Sequence, residues 1–150
     1  RTQRVVCGDV AMDMSWEAFS PRITAAPIMA ARRRLVLRVQ TEGLQENWLA
    51  TPEGAPSAWR IMTSNDPLFS VAVAVWVDGK PVRPGLAMRA RMAMTSLFGS
   101  AFAPMVVTVA PALDWESIAG PERMDALARL PAFLLTHRDL DQTVARLTAR

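Results

Sequence analysis

The chain has 150 residues, 51% of them hydrophobic, which is enough to bury the core of one domain. Its 17 basic residues are arginines except for Lys80, and it has one histidine, one cysteine and no tyrosine. The scarcity of lysine and histidine disfavours acid–base catalysis, and a single cysteine excludes an internal disulfide and a cysteine-rich metal site. The net charge of +3 is low for a nucleic-acid binder.

The N-terminal part of the sequence is interrupted by prolines. We predict that residues 1–31 form an extended, proline-punctuated lead-in, and that 32–150 form a single α+β domain. The dipeptides Ser20-Pro21 and Ala26-Pro27 disfavour a helix in this segment. The sequence starts with arginine, which fits either an artificial boundary or the mature form of a precursor targeted to an organelle or a bacterial envelope.

Two segments before the middle of the chain have strand or loop character. In residues 34–41 (RLVLRVQT) apolar side chains alternate with arginine and glutamine, which predicts a half-buried strand. Residues 42–67 are polar and contain prolines, so we predict a long connection with a short edge strand at 57–62.

The strongest strand signal is the run at 68–77. Its apolar residues are continuous rather than alternating, which indicates a central strand buried on both faces. Asp78-Gly79 follows directly and favours a two-residue hairpin turn, with a return strand starting at Lys80. The segment 105–110 (MVVTVA) predicts one further strand.

Three helices are predicted after this hairpin. Residues 84–98 show an apolar stripe at helical spacing, followed by Gly99 as a stop signal. The members of the stripe are Leu86, Ala90, Met94 and Leu97. Residues 121–134 form a second helix that Pro131 interrupts, and 137–149 form a third helix. A capping box from Thr136 to Asp139 marks the start of the third helix.

These elements predict an α+β fold in one domain. The sheet is mostly antiparallel, with 68–77 at its centre and other strands near 34–41 and 105–110. The helices near 84–98, 121–134 and 137–149 are expected on one face of the sheet.

No pattern in the sequence carries catalytic, cofactor or metal chemistry. His137 is the one imidazole, and we interpret it as a partly exposed helix-start residue. Cys7 is interpreted as a small buried thiol. The acidic groups around Asp13 and Asp139 lack the pattern of a calcium-binding loop, and no glycine-rich phosphate loop is present.

The partner-binding hypothesis rests on a run of arginines. Arg32, Arg33, Arg34 and Arg38 are expected on a loop or strand edge, where an anionic partner can reach them. The alternative is a solvated strand edge. The methionines of the 84–98 helix, Met88, Met92 and Met94, are expected in the core, with a partner-binding face as the alternative.

We interpret the chain as a non-catalytic accessory or structural subunit of a larger multiprotein assembly. Arginine, tryptophan and methionine are enriched at protein interfaces, and lysine is depleted there. One alternative is a small-molecule or lipid-binding domain with tryptophans lining an apolar pocket. A further alternative is an RNA-binding subunit of a ribonucleoprotein. The longest apolar run, Val71 to Val77, is too short to span a bilayer.

Overall fold

The structure is a computed structural model. It describes residues 1–7, 10–20, 22–36, 44–50, 56–65, 68–112, 120–136 and 138–148.

The described residues form one antiparallel sheet and four helices, which confirms the single α+β domain. The strands run in the order β1-β2-β7-β5-β4-β3, and β6 also pairs with β5. The strands are β1 (Thr2–Cys7), β2 (Val10–Ala18), β3 (Gln45–Ala50), β4 (Pro56–Asn65), β5 (Leu68–Val77), β6 (Lys80–Val82) and β7 (Met105–Pro111). The helices are α1 (Ala25–Val36), α2 (Leu86–Phe98), α3 (Gly120–Thr136) and α4 (Arg138–Thr148).

Strand β5 lies inside the sheet, as its continuous apolar run predicts. It pairs with β7 along one edge and with β4 and β6 along the other. The β5–β6 hairpin closes at Asp78 and Gly79, whose φ angles are 55° and 66°. Positive φ at both central residues is the type I′ geometry that the Asp-Gly pair favours.

Helices cover both faces of the sheet, so the prediction that they lie on one face is wrong. The odd-numbered residues of β5, from Val71 to Val77, pack with α1 and α2 in one apolar cluster. The even-numbered residues, from Ala72 to Trp76, pack with α3 and α4 in the other. A strand that is apolar on both faces needs an apolar layer on each side.

The segment predicted as a lead-in belongs to the sheet and its helical cover. Strands β1 and β2 form a hairpin, and β2 pairs with β7, which places Met12 and Met14 in the core. The boundary predicted after residue 31 falls inside α1. Pro27 does not prevent this helix because it occupies the first turn, where a proline removes no intrahelical hydrogen bond.

The strand predicted at 34–41 is wrong where the structure describes it, because 34–36 are the end of α1. Residues 37–41 lie outside the described residues. Short apolar alternation does not by itself separate strand from helix. The predicted connection at 42–67 contains β3 and β4. The edge strand predicted at 57–62 is part of β4, which is an inner strand, and β3 forms the edge on that side of the sheet.

The remaining strand and helices that we predict are present in the structure, but Pro131 does not interrupt its helix. The strand at 105–110 and the helices near 84–98, 121–134 and 137–149 are confirmed. Pro131 lies inside α3 without ending it. The buried residues Leu130 and Phe133 on either side of the proline hold this turn against the sheet, and their burial offsets the proline's cost of about 3 kcal/mol. The Thr136 hydroxyl donates to Ala132 O within α3, 2.8 Å away. His137 lies outside the described residues.

Candidate functional site

The predicted arginine run lies on α1 and does not form one exposed patch. Consecutive helix residues point about 100° apart, so three of them cannot share a face. Arg34 is exposed and pairs with Glu17 on β2, with Nη2 and Oε1 3.0 Å apart. Arg33 is exposed as well. Arg32 points the opposite way, towards β3, and is buried. Arg38 lies outside the described residues.

Arg32 belongs to a cluster of charged and aromatic side chains on the α1–α2 face of the sheet. We call Arg32, Glu46, Trp48, Arg60 and Arg83 the arginine–tryptophan cluster. Arg60 Nη1 donates to Glu46 Oε2. Arg32 Nη2 lies 3.7 Å from the same oxygen, which is an ion pair but too long for a hydrogen bond.

Trp48 orients two of the three guanidinium groups. The Cζ atoms of Arg60 and Arg83 each lie 4.4 Å from the centroid of the indole ring. A guanidinium over an indole face at this distance makes a cation–π contact. Trp48 therefore contacts two arginines that come from different segments of the chain.

Strand register explains why these residues meet. Trp48 is opposite Arg60, and Arg60 is opposite Val73, so all three share the sheet face that α1 and α2 cover. The same edge of β5 pairs with β4 up to Val73 and with β6 from Val75 onwards. Arg83 directly follows β6. The cluster therefore lies where one neighbour of β5 ends and the next begins.

The cleft inside the cluster is closely packed. Arg32, Trp48 and Arg60 line it above the backbone of 73–75, with Pro84 at its end, and it has no room for a water molecule. Arg32 Nη2 is buried there without a hydrogen-bond partner among the described residues. Burial lowers the pKa of the Arg32 guanidinium from its ordinary value, Glu46 opposes this shift and Arg60 adds to it. An arginine stays protonated under such conditions.

A groove beside α2 adjoins the cluster through Arg83. It runs between α2 and the β5–β6 hairpin and has a volume of about 630 Å³. Ala87, Ala90 and Met94 give it an apolar floor, and Arg83 and Arg91 flank it. Asp78 is the one acidic side chain among its described lining residues.

The apolar stripe predicted for α2 is exposed to solvent in the structure. Leu86 is 83% exposed, Leu97 79% and Met94 60%, and the neighbouring Phe98 is 81% exposed. Met88, Met92 and Thr95 face the sheet instead. The expectation of a core position is thus confirmed for Met88 and Met92 and wrong for Met94.

The other candidate side chains do not form a site among the described residues. Trp59 and Trp76 pack edge to face in the core with ring centroids 5.4 Å apart. No three His, Cys, Asp or Glu side chains converge on a metal position in the part of the chain that the structure describes. No described helix is long and apolar enough to cross a membrane.

Comparison with known proteins adds no functional assignment. The chain matches no protein-family model, and no curated protein and no solved structure is significantly similar to it.

Sequence reasoning identified Arg32 but missed its partners Glu46, Trp48, Arg60 and Arg83. Glu46 and Trp48 stand two residues apart, as side chains on one face of a strand do. Because residues 42–67 were predicted to be mostly a connection, this spacing did not indicate a shared strand face. The link to Arg83, which is far away in sequence, depends on strand pairing.

Proposed function

We propose that this chain is a non-catalytic subunit that docks a partner protein on helix α2. The observation that carries the proposal is the exposed apolar face of Leu86, Met94, Leu97 and Phe98. Scattered single apolar residues are normal on a surface, but a contiguous row on one helix marks an interaction site.

The charges around this face indicate the chemistry of the partner. Helix α2 contains no acidic residue, and Arg83 and Arg91 flank the groove beside it. An acidic segment with apolar anchors, such as an amphipathic helix, complements this surface. Ala87 and Ala90 are small, which allows the backbone of such a segment to approach closely.

A protein segment fits these features better than a lipid surface, an RNA or a small molecule does. A flat lipid surface would make no use of a groove bounded by the β5–β6 hairpin. Single-stranded RNA binding uses exposed aromatic faces for base stacking, whereas guanidinium groups already contact the Trp48 ring. A small-molecule binder would enclose its ligand, and this groove is open.

The proposal is tested by site-specific photo-cross-linking in cells that make the protein. The photoreactive amino acid p-benzoylphenylalanine replaces Leu97 on α2 or, as a control, the exposed Gln142 on α4. We expect position 97 to give a covalent adduct with one defined protein that position 142 does not give. Mass spectrometry of the adduct should map the contact to a segment with both acidic and apolar residues.

A synthetic peptide of the mapped segment then measures affinity by fluorescence anisotropy. Leu86→Glu should weaken binding at least about tenfold, because a buried apolar anchor contributes more than about 1.4 kcal/mol. Met124→Glu, at an exposed apolar residue of α3, is the matched control and should leave affinity unchanged. Adducts equal to those of the control position, or adducts only with lipid or with a second copy of this chain, would contradict the proposal.

A further inference from the structure

Strand β1 is an open edge of the sheet. It stands at one end of the strand order, and its one neighbour among the described strands is β2. Thr2, Gln3 and Arg4 are exposed, and Val6 is 64% exposed. The free side of an edge strand presents a row of unpaired N–H and C=O groups, and a further strand can pair with them.

The hydrogen bonds at the start of the β1–β2 hairpin show which main-chain groups point out of this edge. Arg1 N donates to Trp16 O at 3.0 Å, and Trp16 N donates to Arg1 O at 2.9 Å. In an antiparallel pair, residues that exchange both bonds alternate with residues whose N–H and C=O groups point away from the neighbouring strand. The register of β1 on β2 therefore turns outward the N–H and C=O groups of Thr2, Arg4 and Val6.

Strand β1 lacks the features that usually protect an edge. Its sequence TQRVVC contains no proline and no lysine, and it pairs with β2 without a bulge. Its one charged side chain, Arg4, is held by Asp13 of β2, with Nε 2.9 Å from Oδ1 and Nη2 3.2 Å from Oδ2. Arg4 therefore lies over its own hairpin, and the ion pair adds no net charge to the edge. The opposite edge of the sheet, β3, is instead interrupted by a bulge between Trp48 and Ala50.

The side chains of β1 complement those of a second copy of the same strand. Outward-facing residues pair only with outward-facing residues, so an antiparallel pairing of two β1 strands has few registers. The register centred on Arg4 would place two like charges directly opposite each other, and the register centred on Gln3 would leave Val6 uncovered. The register centred on Val5 avoids both problems, because it places Arg4 opposite the second copy's Val6.

Two apolar contacts favour the register centred on Val5. The aliphatic stem of Arg4 covers the second copy's Val6, which is exposed in the single chain. The two Val5 side chains meet at the axis, and each already packs against the core cluster on the α3–α4 side, so the apolar layer becomes continuous. A strand of another protein would gain the same main-chain bonds, but this neutral edge offers it no charge to recognise.

We propose that the chain forms a symmetric dimer in which β1 pairs antiparallel with β1 of a second copy, with the two Val5 residues at the axis. On either side of the axis, Arg4 of one copy and Val6 of the other exchange their main-chain hydrogen bonds, and the two sheets become one. This proposal does not depend on the docking function, because β2 and β7 lie between β1 and β5, the strand that α2 covers.

Sedimentation equilibrium of the full chain tests the dimer. A single strand pair buries a small interface, so we expect a monomer–dimer equilibrium with a Kd of about 10 μM to 1 mM. Val6→Pro removes an outward N–H that β2 does not use, and it should weaken dimerisation at least about tenfold. Val6→Thr is the matched control, since it keeps this N–H and the branched side chain and should change the Kd less than about threefold.

Amide hydrogen exchange followed by NMR provides a measurement that needs no variant. Raising the protein concentration from below to above the Kd should slow the exchange of the Arg4 and Val6 amides, because they become hydrogen-bonded in the dimer. The Gln3 and Val5 amides already bond to β2 in the monomer and should change little.

Disulfide cross-linking tests the register, in a Cys7→Ser background with copper phenanthroline as the oxidant. Val5→Cys should give a covalent dimer, because a non-hydrogen-bonded pair at the axis brings two Cβ atoms within disulfide reach. Gln3→Cys is the control and should cross-link more slowly.

Four results would overturn the proposal. They are a monomer at every concentration, unchanged exchange of the Arg4 and Val6 amides in the dimer, faster cross-linking of Gln3→Cys than of Val5→Cys, and a dimer that Val6→Pro leaves intact. In the last case, loss of the dimer in Leu86→Glu would place the contact on α2 instead.

Discussion

Replacing Arg32 with methionine should stabilise the protein, although it removes a buried ion pair. Methionine keeps an unbranched apolar stem of similar length and removes the guanidinium, which is 10% exposed and has an unpaired Nη2. The ion pair lost spans 3.7 Å without a hydrogen bond and contributes less than about 1 kcal/mol. An unsatisfied buried donor costs about 1–3 kcal/mol, and the like charge of Arg60 adds to that cost. The net expectation is a gain of about 1 kcal/mol.

Urea denaturation, followed by tryptophan fluorescence, measures this gain. A shift of the midpoint at constant m-value would report a change in stability alone. Glu46→Gln should act in the opposite direction, by about 1–2 kcal/mol, because it leaves Arg32 and Arg60 without the carboxylate between them. Both effects should shrink at high salt, because Glu46 and Arg60 are partly exposed.

Destabilisation by Arg32→Met of more than about 1 kcal/mol would refute this reasoning, since Arg32 would then be a satisfied structural partner.

Two further predictions concern α2 and the β5–β6 hairpin. Met92→Ala should lower the free energy of unfolding by about 2–4 kcal/mol, because Met92 is buried. Met94→Ala should change it by less than about 0.5 kcal/mol, because Met94 is exposed. Equal effects of the two variants in urea denaturation would contradict the observed orientation of α2. Gly79→Ala should cost about 1–2 kcal/mol, since Gly79 has a φ of 66° and a Cβ there would lie 3.1 Å from the Phe102 ring; a thermal midpoint equal to that of the unchanged protein would contradict it.

Local signals were sufficient to predict the centre of the fold. The run at 68–77 combines β-branched residues with apolar character on both faces, and the Asp-Gly turn after it fixes the hairpin. Each of these features depends on a few adjacent residues. A strand that is apolar on both faces also requires an apolar layer on each face, which is why the prediction of helices on one face is wrong.

Helix α2 shows why periodicity predicted the helix but not its orientation. Its two opposite faces are both apolar, one through Met88 and Met92 and the other through Leu86 and Leu97. A stripe at helical spacing therefore exists on each face, and leucine is the more typical core residue. In the structure, the face that contains Met88 and Met92 packs against the sheet. The unpaired leucine face is the observation from which the proposed docking surface follows.

The arginine–tryptophan cluster could not be assembled from sequence because its members come from four separate segments. Trp48 meets Arg60 through the β3–β4 register. Arg83 joins them only because it follows β6, which pairs with β5 just beyond the point where the β4–β5 pairing ends. The arginine run did predict Arg32 as a candidate partner-binding residue. The expectation that three exposed charges act together fails because α1 turns Arg32 towards Glu46 and Arg34 towards Glu17.

The two sides of the sheet differ in a way that supports the proposed docking surface. On the α3–α4 side, Trp59 and Trp76 close the core, and the large apolar residues exposed on α3 are Met124 and Leu135. On the α1–α2 side, an orphaned guanidinium and a row of exposed apolar side chains lie on either side of Arg83. The exposed apolar row is unfavourable in the isolated chain and becomes favourable when a partner covers it. Recognition is therefore expected on the α1–α2 side, where Arg83 contacts Trp48 and lines the groove.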